Sequence, residues 1–119
     1  MSLRSQLLKG VLEGCILALI KREPVYGYEL SMKLQKFGLS QVSEGSIYPL
    51  LLRLQRAGLI QGEMRDSPLG PKRKYYCLTE SGEEALQTFM AEWENIRMPV
   101  EMILRGGTDD ESNGSHRLE

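Results

Sequence analysis

The chain has 119 residues and a formal net charge of −1, with 41% hydrophobic and 26% charged residues, which is the composition of a single globular domain. Its longest apolar run, Cys15 to Ile20, is too short to span a membrane. The first residues lack the basic region and the small-residue cleavage site of a secretion signal, so we expect a cytoplasmic protein that does not contact a membrane.

The charged residues are unevenly distributed along the chain. Residues 43–75 carry six basic and three acidic side chains, whereas residues 79–101 carry six acidic side chains and one arginine. Three of the basic residues, Lys72, Arg73 and Lys74, are consecutive and lie between a Gly-Pro turn and two tyrosines. A nearly neutral protein can therefore still present a locally basic face.

Two helices are predicted at the start of the chain. From Gln6 to Ile20 the apolar residues recur at helical spacing, and the Lys21–Pro24 segment ends the pattern. A second helical pattern ends at Gly38, which is placed to adopt the left-handed conformation that follows many helices. Its apolar face is predicted to comprise Tyr26, Leu30, Leu34 and Phe37.

A third helix is predicted after Ser43, a typical N-cap residue, and ends at Gly58. Pro49 removes one helical hydrogen bond, so either the helix starts nearer Ser46 or its first turn is irregular. The buried stripe of this helix is predicted to comprise Ile47, Leu50, Leu51 and Leu54.

Two short strands and a long helix complete the chain. Leu59–Arg65 and Lys74–Leu78 are predicted to form a hairpin with a loose loop over the intervening residues. Thr79 is expected to cap the last helix. Two series of apolar residues spaced seven apart, at positions 86, 93 and 100 and at 89, 96 and 103, give this helix a seam suited to a dimer interface or a ligand site. The residues predicted to form that interface or site are Leu86, Phe89, Met90, Trp93, Ile96 and Val100.

This order of elements predicts a mainly α fold with a small β-hairpin, namely a winged helix-turn-helix followed by a dimerisation helix. The corresponding segments are a DNA-binding domain over residues 1–78, a dimerisation helix over 79–105 and a disordered tail over 106–119. In a winged helix the third helix enters the major groove and the hairpin lies along the DNA backbone. Cations at the tip of the hairpin, with a hydroxyl donor such as Tyr75 beside them, suit phosphate contact better than a purely protective edge.

Four segments in order resemble the PadR family of bacterial transcriptional regulators: LLKGVLEGCILALI, VYGYEL, SEGSIYPLLLRLQRAGLI and GPKRKYYCLTESGEEAL. With one helix after the hairpin, the chain resembles the short subfamily. The resemblance implies a homodimeric repressor that is released from a pseudo-palindromic operator by a small molecule or another signal. The positions that correspond to family DNA contacts are Ser46, Tyr48, Arg53, Lys72, Arg73 and Lys74.

The resemblance also suggests how the protein assembles. In the family the last helix packs on the partner's first helix. In some short members a ligand sits between the two last helices, beside an aromatic residue placed like Trp93. A flat apolar small molecule is therefore a candidate effector.

Other functions are less compatible with the sequence. It contains no phosphate-binding glycine loop, no nucleophile paired with a histidine and no cluster of metal ligands, so we expect no enzyme activity, cofactor or metal. The remaining alternative is a winged-helix adaptor that binds protein instead of DNA, because fold alone does not separate these functions.

Overall fold

The computed structural model describes residues 3–40 and 42–107. The tail predicted to be disordered lies outside the described residues from position 108 onward. In chain order the elements are α1 (Leu3–Arg22), β1 (Val25–Tyr26), α2 (Gly27–Lys36), α3 (Glu44–Arg56), β2 (Ile60–Ser67), β3 (Gly70–Leu78) and α4 (Glu80–Leu104). This arrangement confirms the winged-helix fold class predicted from the sequence.

The second helix differs from the prediction at its two ends. Leu30 and Leu34 are buried as expected, and Gly38 adopts a φ of 107° directly after the helix. Phe37, however, is not part of the buried face, because its side chain is 65% exposed and its ring lies 5.3 Å from the guanidinium of Arg22. Tyr26 is not in the helix either, since it belongs to β1.

The third helix has the cap and the buried stripe that the sequence indicates. The Ser43 hydroxyl accepts a hydrogen bond from the Ser46 amide, which also donates to the Ser43 carbonyl at 3.0 Å. The helix therefore starts at Glu44 with a tight first turn, and Pro49 lies inside it. Three of the predicted stripe residues are buried and Leu50 packs against them half-buried.

The hairpin is longer and tighter than predicted. Strands β2 and β3 continue almost to its tip, where Pro68 and Leu69 alone form the turn, so the expected loose loop is wrong. The three consecutive cations consequently lie within β3 and not in a loop. The sequence also gave no sign of β1, which pairs with β3 and makes a three-stranded antiparallel sheet in the order β1-β3-β2.

Contacts within the chain divide it into two compact units, one up to Gln87 and one from Thr88 onward. The first unit has a core built from α1, α2, α3, the sheet and Leu86 of the last helix. The largest completely buried side chains in this core are Ile16, Val25, Leu30, Leu34, Ile47, Leu51 and Ile60. The second unit contains the rest of α4. None of the described helices combines the length and apolarity needed to cross a membrane.

Candidate nucleic-acid interface

The exposed side of α3 presents the three residues of this helix that were predicted to contact DNA. Ser46, Tyr48 and Arg53 are exposed, whereas Ile47 and Leu51 between them are buried in the core. The Tyr48 hydroxyl donates a hydrogen bond of 2.8 Å to Oε2 of Glu44, one turn earlier in the helix. This hydrogen bond is the main reason that the pKa of Tyr48 is raised above its ordinary value, because it stabilises the protonated phenol.

The ring of Tyr48 is positioned by a close approach to Gly27 at the start of α2. A Cβ atom built on Gly27 would lie 2.7 Å from Cε1 of Tyr48, well inside van der Waals contact. Only a glycine lets the ring lie this close to the α2 backbone. Gly27 thus supports the position of a candidate DNA contact.

Arg53 faces a different neighbour. Its guanidinium forms an ion pair with Glu13 of α1, although its side chain is 65% exposed. The guanidinium is therefore held beside α1 and remains accessible to solvent. No local sequence pattern indicates this pair, because the two residues are forty positions apart.

The alternation of side chains along β3 separates the three consecutive cations. Successive residues of a strand point to opposite faces, so Lys72 and Lys74 share one face with Tyr76, and Arg73 shares the other with Tyr75. The aliphatic part of Lys74 lies across Gly62 of β2, where a Cβ atom would overlap it. The β2–β3 hairpin is the wing of this fold. It thus carries two of the cations, both lysines, on one face and the third, an arginine, on the other.

Aromatic rings support the cations of the wing. The guanidinium of Arg73 lies 4.4 Å from the centre of the Tyr26 ring, and that ring meets Tyr75 edge-on at 5.3 Å. On β2, Arg65 lies 5.1 Å from the centre of the Tyr75 ring. Such cation–π contacts restrict the side chains while leaving the charge available. Tyr26 was assigned to core packing from the sequence, so its role beneath Arg73 was missed.

A cleft connects the wing to α3. It has a volume of about 240 Å³ and is lined by Tyr26, Gly27, Tyr48, Lys72, Arg73, Lys74 and Tyr76. The burial of Tyr76 raises the pKa of its phenol, so this ring stays neutral at physiological pH. The lining of the cleft therefore includes the two lysines of one strand face, Arg73 of the other face and tyrosine hydroxyls, which is the chemistry that binds phosphate groups.

The predicted interface residues of α4 do not share one environment. Leu86 is buried in the core of its own chain and is not available to a partner. Phe89 is half-buried. The remaining four are exposed: Met90, Trp93, Ile96 and Val100.

Comparisons with known proteins agree with this geometry. The family described as "Transcriptional regulator PadR-like family" matches residues 16–88. A PadR-like transcriptional regulator from Bacillus cereus is 57% identical, with 85% of this chain and 98% of that one covered and a TM-score of 0.79. A Streptococcus transcriptional regulator is 47% identical, with 82% and 96% covered and a TM-score of 0.75.

A third structure, a PadR-like transcription factor from Bacteroides fragilis, is 40% identical over 84% of this chain and 96% of that one, with a TM-score of 0.68. The family model and these solved structures all describe transcriptional regulators, not enzymes. The match covers the end of α1, all of α2 and α3, the β2–β3 hairpin and the start of α4, and so includes every residue that lines the cleft between the hairpin and α3. The chain belongs to the PadR-like family of DNA-binding transcriptional regulators.

Proposed function

We propose that this protein is a homodimeric repressor that binds a pseudo-palindromic operator through α3 and the wing and is released by a small apolar molecule. The observation that carries the DNA-binding part is the cleft in which Lys72 and Lys74 face Tyr48 of α3. A helix that enters the major groove needs neighbouring donors that fix its register on the backbone, and the cleft provides them beside that helix.

The contacts divide into two classes. The wing cations contact phosphates and contribute affinity without sequence preference. The exposed residues at the start of α3, among them Ser46, reach the base edges and contribute sequence preference. Tyr48 could make either class of contact, because it lies on the exposed side of α3 and also lines the cleft of the wing.

Exposed apolar residues support the homodimer. On α4, Trp93 and Val100 and also Ile96 and Ile103 are seven residues apart, and Met90 lies one turn before Trp93; all five are exposed. On α1, Leu3 and Leu7 are 72% and 68% exposed. A soluble domain rarely leaves such a series in water, and a second copy of the chain covers both surfaces by two-fold symmetry. The same symmetry supplies two recognition helices about 34 Å apart, which is one turn of DNA.

The effector part of the proposal is supported by the residues around Trp93. This side chain is 43% exposed, and Met90, Met98 and Met102 on the same helix are also exposed. Where two such helices meet, aromatic faces and adaptable methionines line any gap between them. A flat apolar molecule bound there would lower DNA affinity if it favoured a dimer whose recognition helices are wrongly spaced.

Four measurements test the proposal. Light scattering at micromolar concentration should give the mass of a dimer, and a monomer mass would refute the assembly. Binding to DNA fragments enriched from the source genome should weaken steeply with salt, and replacing Lys72, Arg73 or Lys74 by alanine should each reduce the slope of log K against log salt by roughly one unit. A slope unchanged in the triple variant would remove the wing from the interface.

The effector is tested by the fluorescence of Trp93, the only tryptophan. Titration with a panel of flat aromatic dyes should quench or shift this emission and release the operator in the same concentration range. No response to any dye would leave Trp93 as a dimer contact only. A reporter placed behind the enriched fragment should be repressed when the protein is present, and activation would contradict the proposed direction of regulation.

A further inference from the structure

A second cleft flanks α3 on the side away from the wing. It has a volume of about 450 Å³ and lies between α1 and α3. Its α3 wall includes Ser46, Pro49 and Arg53, and its α1 wall includes Ser5 and Lys9. The helix proposed to enter DNA is thus bordered by a cleft on each side.

Helical geometry explains why the two clefts lie on opposite flanks. Residues advance by about 100° each around a helix, so Ser46 and Tyr48 are about 200° apart. Arg53, seven residues from Ser46, returns to nearly the same direction. Tyr48 therefore faces the cleft of the wing, whereas Ser46 and Arg53 face the cleft of α1.

An ion pair identifies the side of α1 that faces α3. Glu13 contacts Arg53, which places this side of α1 against α3. Lys9 is one turn before Glu13 and therefore lies on the same side. Leu7, two residues before Lys9, points about 200° away. A partner helix can consequently cover the exposed leucines of α1 without covering Lys9.

We propose that Lys9 of α1 is a DNA-contacting residue that binds a phosphate on the strand across the major groove from the wing. The inference rests on the proposed insertion of α3 into that groove. The groove is about 12 Å wide and a helix with its side chains about 10–12 Å across, so the two backbones run along the two flanks of the helix. One flank carries the wing lysines, and the other carries Lys9 beside Arg53.

The charge state of this cleft supports the assignment. Glu13 neutralises Arg53, whereas the Lys9 amine has no hydrogen bond or ion pair to any residue in the ranges 3–40 and 42–107. The lysine is exposed and its long side chain can reach outward from the rim. It is the cation on this flank that is available to a phosphate without first breaking an internal pair.

The test compares Lys9→Ala with Lys72→Ala on a duplex enriched from the source genome. Lys9→Ala should lower the salt slope by about 0.9, which is about an eightfold loss at 0.1 M salt when the affinity extrapolated to 1 M is unchanged. Lys9→Arg should restore the slope. Lys36→Ala is the matched control, because this exposed lysine on α2 lines neither cleft, and it should leave the slope unchanged.

Phosphate ethylation interference then locates the lost contact. Lys72→Ala should abolish interference at a phosphate on one strand of a half-site. Lys9→Ala should abolish it at a phosphate on the other strand of the same half-site. An unchanged slope, a lost phosphate on the same strand as that of Lys72, or a loss that Lys9→Arg does not restore would overturn the inference while leaving the proposed function intact. Absence of salt-dependent DNA binding by the unsubstituted protein would instead refute the proposed function.

Discussion

The packing of Tyr48 on Gly27 makes a substitution at one position depend on the residue at the other. An alanine Cβ at position 27 would lie 2.7 Å from Cε1 and 2.9 Å from Cζ of Tyr48. Carbon atoms in contact prefer separations of about 3.5–4.0 Å, so the ring must move by roughly 1 Å. The ring is 47% exposed and can swing outward, but this motion breaks its hydrogen bond to Glu44.

The expected cost of Gly27→Ala follows from two opposing effects. Overpacking costs about 1–3 kcal/mol, whereas alanine is favoured over glycine in a helix by up to about 1 kcal/mol. Gly27 does not have a positive φ, so alanine introduces no backbone strain there. The net destabilisation should therefore be about 0–3 kcal/mol. DNA affinity should fall as well, because the displaced ring no longer forms the wall of the wing cleft.

A double-mutant cycle separates the clash from other effects. Urea unfolding and operator affinity are measured for the unsubstituted protein, Gly27→Ala, Tyr48→Ala and the double variant. Without the Tyr48 ring, Gly27→Ala should be neutral or stabilising, which corresponds to an interaction energy of about 1–3 kcal/mol. Gly45→Ala is the control for stability, since its Cβ would come no closer than 3.9 Å to another side chain. Equal destabilisation by Gly27→Ala in both backgrounds would refute the argument.

Three further predictions concern other contacts. Gly82→Ala should cost more than about 2 kcal/mol in urea unfolding, because its Cβ would overlap the Leu59 carbonyl oxygen, a backbone atom that cannot swing aside; a loss below 1 kcal/mol would show that α4 can shift there. Glu13→Gln should strengthen non-specific DNA binding and steepen its salt slope by up to about one unit, because the charge of Arg53 is no longer neutralised. The free energy of unfolding should change by no more than about 1 kcal/mol, and a shallower salt slope would contradict the prediction. Burial raises the pKa of the Cys15 thiol and so lowers the fraction of reactive thiolate. In a Cys77→Ser background at pH 8.5, iodoacetamide should therefore modify Cys15 more slowly in the folded protein than in urea, and equal rates would contradict this.

The helices could be predicted from the sequence because their signals are local. Ser43, Gly38 and Gly58 mark helix ends through their own hydrogen bonds or backbone angles, and the structure has all three in these roles. Phe37 was misplaced because helical spacing alone does not show where the helix stops. The two-residue strand β1 had no periodicity to detect, since it forms only by pairing with residues fifty positions later.

The candidate site was only partly accessible from the sequence. Lys72, Arg73 and Lys74 could be identified as a charged group, but their division between two faces depends on how far β3 extends toward the turn. The aromatic support of Arg73 by Tyr26 depends on β1, which was missed. The second cleft depends on how α1 packs against α3, which no spacing within either segment reveals.

The two flanks of α3 share one further feature, which is an acidic residue paired with a candidate DNA contact. Glu44 accepts the Tyr48 hydrogen bond and Glu13 pairs with Arg53. The Tyr48–Glu44 hydrogen bond is exposed, so exchanging Glu44 for a phosphate costs little when the remaining contacts are good, whereas Oε2 of Glu13 is buried and the release of Arg53 costs more. On non-specific DNA, the same acids repel the phosphate backbone, and α3 makes no sequence-specific base contacts that would offset this repulsion. If α3 binds DNA as proposed, we therefore expect the carboxylates to hold the contact side chains in place without DNA and to lower the affinity for non-specific sites more than for the operator.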